Sequence, residues 1–149
     1  MPLPSFKESG DLPLGIHRVA LAETLTHFGT GSRQRQIIAT RLERIHQLAL
    51  STGHVSRFVV FGSFITTKEA PNDVDVFLLM EDAFDLSNLI GEAHLLFSDH
   101  AVAQARFGAS VFWIRYLAAL DGEQKAMEGW QIKRDGGQRG IVEIIGESV

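Results

Sequence analysis

The sequence contains no cysteine and few basic residues relative to acidic ones. Without cysteine the chain forms no disulfide and offers no thiolate to a metal, which fits a reducing compartment. The 14 lysines and arginines are outnumbered by 18 aspartates and glutamates, for a formal net charge of -4. This charge argues against a broad surface for nucleic acid or an anionic membrane, although it allows a local basic patch. We therefore expect a small molecule or a protein as the partner.

Long apolar runs are also missing. No run approaches membrane-spanning length, and no positively charged start precedes an apolar stretch. We therefore expect a cytoplasmic protein without a membrane partner. Hydrophobic residues make up 45% of the 149 residues, which suffices for one core but not for two. The expectation is a single domain over residues 1–149.

Turn residues and apolar periodicity predict the order of elements along the chain. Three of the four prolines fall in residues 1–18, which favours an extended N-terminal arm. The remaining elements are predicted as helices over 19–27, from Ser32 to Gly53, from Asp85 or Ser87 to Phe97, and over 123–128, and as strands over 58–61, 73–80 and 110–116. A C-terminal hairpin over 130–145 would turn at Asp135-Gly136. The fold class is α+β, with a mixed, mostly antiparallel sheet flanked by helices.

Two aspartates lie one residue apart in an otherwise apolar strand. Side chains alternate along a strand, so Asp73 and Asp75 share one face while Val74 and Val76 occupy the other. Two close carboxylates repel each other and require a shared proton, a basic partner or a divalent cation. The strand has no lysine or arginine, and hard oxygen ligands suit Mg²⁺ or Mn²⁺ completed by the phosphates of a substrate. This pattern points to phosphate chemistry.

The preceding strand ends in Gly62-Ser63, which complements the aspartates. A glycine lets a phosphate approach the backbone, and the next N–H and the Ser63 hydroxyl can donate hydrogen bonds to it. Gly62-Ser63 followed after nine residues by Asp73-Val74-Asp75-Val76 resembles the signature of the nucleotidyltransferase superfamily, which has the polymerase-beta-like fold. The segments GDLPLGIH, GSFITTK, PNDVDVF and KRDGGQRGIVEI are similar to small single-domain members of that superfamily. In size the chain also resembles the minimal nucleotidyltransferase antitoxins, which modify or mask a partner toxin.

The resemblance implies transfer of a nucleoside monophosphate from a nucleoside triphosphate, ATP first among them, to a hydroxyl acceptor, which could lie on a protein such as a toxin. Asp73 and Asp75 would be the catalytic, metal-holding residues, and Gly62 and Ser63 would bind the nucleotide phosphates. Many relatives carry an arginine and a glycine in the following loop, whereas here Lys68 is its only cation and is the third candidate for binding the nucleotide. The alternative is an inactive, antitoxin-like interaction module of the same fold.

A third carboxylate distinguishes these two alternatives. Active relatives carry it on the next strand, but residues 110–116 contain no acid, and Ser110 stands about where it is expected. Asp99 and Glu143 are the candidate substitutes, and the sequence places neither in the site.

Several charged and aromatic residues have a simpler interpretation as well as a functional one. Lys133, Arg134 and Arg139 could meet a phosphate or an acidic partner, but a solvated hairpin is favoured. Trp113 and Trp130 are interpreted as packing residues. The arginines of the long helix are interpreted as its solvated outer face, namely Arg33, Arg35, Arg41 and Arg44.

Overall fold

The computed structural model of the chain describes residues 3–119, 122–133 and 135–146. The strands are β1 (Ile16–Ala20), β2 (Val55–Phe61), β3 (Val74–Met80), β4 (Ala109–Arg115) and β5 (Ile141–Ile145). The α-helices are α1 (Leu21–Phe28), α2 (Arg33–Ser51), α3 (Gly91–Ser98), α4 (His100–Phe107) and α5 (Glu123–Gly129). Short 3₁₀ turns lie at Ser63–Ile65, Leu86–Asn88 and Tyr116–Ala118. Among the described residues, none of the helices combines the length and apolar character needed to cross a bilayer.

The strands form one sheet in the order β1-β5-β2-β3-β4. β1 runs parallel to β5 and β3 parallel to β4, while β2 is antiparallel to both of its neighbours. The α+β class and the mixed sheet flanked by helices are confirmed. The expectation of a mostly antiparallel sheet is wrong, because parallel and antiparallel pairings are equal in number among the described strands.

One parallel pairing joins β3 to β4, which α3 and α4 connect, and the other joins β1 to the distant β5. The predicted extended N-terminal arm over 1–18 contains a turn at 8–11 in its described part, and from Ile16 it forms β1 at a sheet edge. The predicted hairpin over 130–145 is replaced by long-range pairing, in which β5 lies between β1 and β2. Within the described part of that segment, a single antiparallel bridge joins Ile132 to Gln138.

Helix starts follow the capping chemistry of the sequence. The Ser32 hydroxyl accepts a hydrogen bond from the Arg35 N–H at 3.1 Å, which starts α2 as predicted. The helix predicted from Asp85 or Ser87 to Phe97 is instead divided, because Asp85 caps only a 3₁₀ turn and α3 starts at Gly91. Asp99 then caps α4, a helix that was not predicted.

The sheet has two unlike faces. Helices α1 to α4 pack on one face, which we call the helix-covered face, and bury a large apolar core there. Helix α5 and Trp130 pack on the opposite face, the α5 face, over a smaller cluster that includes Val59, Phe77 and Met127. Strand β3 serves both, since Val74 and Val76 are fully buried on the helix-covered face while Phe77 packs on the α5 face.

Candidate active site

The turn after β2 brings the backbone against a carboxylate. Gly62 has φ of +83°, a conformation that L-residues rarely adopt. A Cβ at this position would overlap the Asp75 Oδ2 atom, so glycine is required by both conformation and space. The register explains the approach, because Phe61, the last residue of β2, pairs with Asp75 of β3.

The two aspartates and Ser110 lie side by side across β3 and β4. Asp73 directly precedes β3 and Asp75 is its second residue, and both side chains are half-buried. Ser110 pairs with Asp75 in the parallel register, and its hydroxyl donates to Asp73 Oδ2 at 3.4 Å. The structure therefore gathers Gly62, Asp73, Asp75 and Ser110 at one edge of the α5 face.

This set of donors fits a small hard cation. Two carboxylates with a neighbouring hydroxyl leave most of a coordination shell to water and to substrate phosphates, which is the arrangement Mg²⁺ prefers. Among the described residues, no group of three or more histidine, cysteine, aspartate or glutamate side chains converges on one point. A cation here would therefore take its remaining ligands from water and from the substrate.

Both candidate third acids are engaged elsewhere. Asp99 is exposed, and its Oδ1 accepts from the Ala101 N–H at 2.8 Å as the cap of α4. Glu143 is buried and accepts hydrogen bonds from Arg57 at 2.6 and 2.9 Å and from Arg18 at 3.0 Å. Burial alone would raise the pKa of Glu143, but the bonds and charges of these arginines outweigh it and lower the pKa. Glu143 is therefore the anion of a structural ion pair.

Arg35 holds the loop that follows the Gly62-Ser63 turn. Its guanidinium donates to the backbone carbonyls of Phe28, Phe64, Thr66 and Lys68 at 3.0, 2.8, 2.7 and 2.5 Å. The side chain is buried, and burial lowers its pKa. The interpretation of Arg35 as part of a solvated outer face is wrong. The amphipathic pattern of α2 does not indicate it, because three of the acceptors are carbonyls of the distant 64–68 loop and the fourth belongs to Phe28 at the end of α1.

Lys68 contributes to the site through its backbone. Its side chain is exposed, and its carbonyl is one of the four that accept from Arg35. The structure places this residue at the surface end of the loop that follows Gly62-Ser63. None of the described contacts joins the Lys68 ammonium group to Asp73 or Asp75.

The segment GDLPLG joins this loop to the C-terminal region. The Thr67 N–H donates to the Gly10 carbonyl at 3.0 Å. The neighbouring Asp11 is buried and contacts Lys133 Nζ at 3.1 Å and Arg139 at 3.5 Å. Burial would raise the pKa of Asp11, but the hydrogen bond and charge of Lys133, helped by Arg139, lower it. Residues from three distant parts of the chain therefore meet beside the site.

A cavity of about 530 Å³ opens next to Asp75 and Ser110. It is lined by aromatic, cationic and polar residues, namely Phe61, Asp75, His100, Gln104, Ser110, Phe112, Gly129, Trp130, Ile132, Lys133 and Arg139. Lys133 and Arg139 thus face a cavity, contrary to their interpretation as a solvated hairpin, and Arg134 lies outside the described residues. Lys68 is not among the described lining residues.

Sequence reasoning missed the aromatic wall of this cavity. Trp130 stacks at an angle on Phe61, with ring centroids 4.5 Å apart, and lies 5.4 Å from Phe112. It therefore combines packing with a place in the cavity wall. Trp113, in contrast, donates to the Phe97 carbonyl at 2.9 Å and packs against the helix-covered core, as a packing residue does. The alternation of β4 was the available signal, since Ser110 and Phe112 share a face.

Comparison with known proteins places the chain in one family. The searches against curated proteins and against solved structures found no match. A family model matches residues 4–145, which include the site, the cavity and all five described strands. The chain belongs to this family, DUF6932, described as a family of unknown function.

Proposed function

We propose that the protein is a nucleotidyltransferase that transfers a nucleoside monophosphate from a nucleoside triphosphate to a hydroxyl. The observation that carries this proposal is the contact between the Gly62 backbone and the Asp75 carboxylate, with Asp73 and Ser110 beside them. This approach puts the turn that we propose to bind phosphates beside the two aspartates that we propose to hold a cation. The polymerase-beta-like fold belongs to the proposal, and the mixed sheet with strands β2, β3 and β4 adjacent is compatible with it.

The residues of the chain would act mainly by binding and orientation. The N–H after Gly62 and the Ser63 hydroxyl would donate to the β and γ phosphates. Asp73 and Asp75 would hold Mg²⁺ or Mn²⁺, whose charge neutralises the triphosphate. The acceptor oxygen would form its bond to the α phosphorus as the bond to pyrophosphate breaks, and the acceptor proton would leave to solvent. Arg35 would keep the turn in its binding shape.

The acceptor we propose is a hydroxyl on a protein. The chain is acidic overall, with a formal charge of -4, so it lacks the broad positive surface that attracts RNA or DNA. A partner toxin is one protein that would fit, by the resemblance to minimal antitoxins.

A second candidate is a nucleotide-binding interaction module with little or no catalysis. Ser110 favours it, because a hydroxyl stands beside the pair where active relatives carry a carboxylate. Asp99 and Glu143 are bound to other groups and do not fill that role. In this case the aspartates would serve binding alone.

Transfer of label separates the two candidates. The protein would be incubated with each α-³²P nucleoside triphosphate, Mg²⁺ or Mn²⁺, and cell extract as the source of acceptors. We expect label on a protein band with the wild type and with the control Asp99→Asn, and none with Asp73→Asn/Asp75→Asn. Label on RNA would contradict the protein acceptor. Absence of any label, with a partner captured equally by wild type and double variant, would favour the interaction module.

A further inference from the structure

We propose that the cavity beside Asp75 holds the base of the nucleotide, stacked on Phe112, with Lys133 and Arg139 facing the phosphates. This inference rests on the proposed function, and it assigns the cavity a ligand class, an aromatic base attached to an anionic chain. The cavity volume of about 530 Å³ is in the range of small-molecule sites.

The aromatic rings support a planar ligand. Phe112 lies on strand β4, yet 37% of its surface is exposed, so packing within the protein leaves part of the ring uncovered. His100 stacks on Phe112 with ring centroids 4.7 Å apart and planes 27° apart. Phe61 lies 6.2 Å from Phe112, and Trp130 closes the group. An aromatic wall of this kind can stack with any of the nucleotide bases, because every base has a π-face.

The cations support an anionic end. Lys133 and Arg139 line the cavity and share one carboxylate, Asp11, so the three side chains carry one net positive charge. Their position is linked to the Gly62-Ser63 loop, because Gly10, adjacent to Asp11, accepts from the Thr67 N–H. Strand β5 begins two residues after Arg139 and pairs antiparallel to β2, with Val142 opposite Val60, so the positive side of the cavity lies toward the turn that follows β2. His100 and Phe112 come from α4 and β4, on the other side of Asp75.

This arrangement makes the base contribute to affinity independently of the triphosphate. Stacking on an aromatic side chain is worth about tenfold or more in affinity per base. Inorganic tripolyphosphate would use the turn, the aspartates and the cations but leave the aromatic wall empty. We therefore expect ATP with Mg²⁺ to bind about tenfold more tightly than tripolyphosphate with Mg²⁺.

Calorimetry with both ligands tests the assignment. Phe112→Ala should lower ATP affinity about tenfold and leave tripolyphosphate affinity unchanged, which also shows that the variant is folded. Phe112→Trp, which keeps a ring, should retain ATP affinity. Leu117→Ala, at a residue 79% exposed and away from the cavity lining, is the matched control and should bind both ligands as the wild type does.

The outcomes separate this inference from the proposed function. Equal affinity of the wild type for ATP and tripolyphosphate, or unchanged ATP affinity in Phe112→Ala, would overturn the base site while leaving the phosphate site standing. Failure of the wild type to bind either ligand in Mg²⁺ would contradict both proposals.

Discussion

The two faces of the sheet differ in what they bury. The helix-covered face is apolar almost throughout, from Ile38 and Leu42 on α2 to Val76 on β3. The α5 face has a smaller apolar cluster, and it carries the buried pair of Arg57 and Glu143 together with the two aspartates. One sheet can therefore place most of its stabilising apolar contacts on one face and its polar residues on the other, because side chains alternate between the faces along each strand.

The helix-covered face should give the largest change in stability. Leu42→Ala removes a fully buried side chain and should lower the free energy of unfolding by about 3 kcal/mol. Leu50→Ala, on the same helix but 48% exposed, should change it by less than about 0.5 kcal/mol. Urea unfolding measures both. Similar losses in the two variants would contradict the assignment of the core to this face.

Arg35 connects the two faces, since it lies on α2 and holds the loop that leads to the aspartates. Arg35→Met keeps an unbranched apolar stem but removes the guanidinium group and its four hydrogen bonds to carbonyls. We expect a loss of about 2 to 3 kcal/mol in unfolding free energy and weaker nucleotide binding in Mg²⁺. Arg33→Met, at an exposed position of the same helix, is the control and should change neither quantity.

The ion pair of the α5 face should give a pH-dependent effect of about 2 kcal/mol. Arg57 and Arg18 lower the pKa of Glu143 despite its burial. Its contribution to stability is therefore complete above the ordinary glutamate pKa of 4.5 and is lost as the pH falls through the lower pKa of the folded state. Glu143→Gln should be less stable than wild type at pH 7, and the two should converge at low pH. Urea unfolding of both proteins from about pH 2.5 to 7 checks this. A difference in unfolding free energy that stays constant over this range would contradict it.

The smallest effect is expected at Ser110. Ser110→Asp would add a carboxylate beside the pair and should raise Mg²⁺ or Mn²⁺ affinity by about 1 kcal/mol. Ser110→Asn has the same shape without the charge and should leave metal affinity unchanged. Titration of Mn²⁺ followed by electron paramagnetic resonance measures both. If the asparagine variant gains as much affinity as the aspartate variant, charge is not the cause.

Local patterns predicted the part of the fold around the aspartates. Most of β2 and β3 was predictable from the sequence, and so was the cap of α2 at Ser32. Strand patterns and side-chain capping both act over a few residues. The position of Ser110 beside the aspartate pair was also anticipated, and the parallel register of β3 and β4 puts it there.

The remaining features depend on contacts between distant residues. Strand β5 reads locally as the second arm of a hairpin, but it pairs with β1 and β2, which lie more than 80 residues earlier. The cavity wall has the same origin, since Phe61, Phe112 and Trp130 come from separate segments. No local pattern indicates that Arg35 is buried either, because its four acceptors are carbonyls of the 64–68 loop and of Phe28, which only folding brings together.

The most direct test of the account is the metal dependence of nucleotide binding. Calorimetry would compare ATP binding in Mg²⁺ and in EDTA for the wild type and for Asp73→Asn/Asp75→Asn, which should stay folded because the change removes like-charge repulsion. We predict at least about tenfold tighter binding with Mg²⁺ for the wild type and no metal dependence for the double variant. Equal affinity of the wild type in both solutions, or metal dependence retained by the double variant, would contradict the assignment of the site.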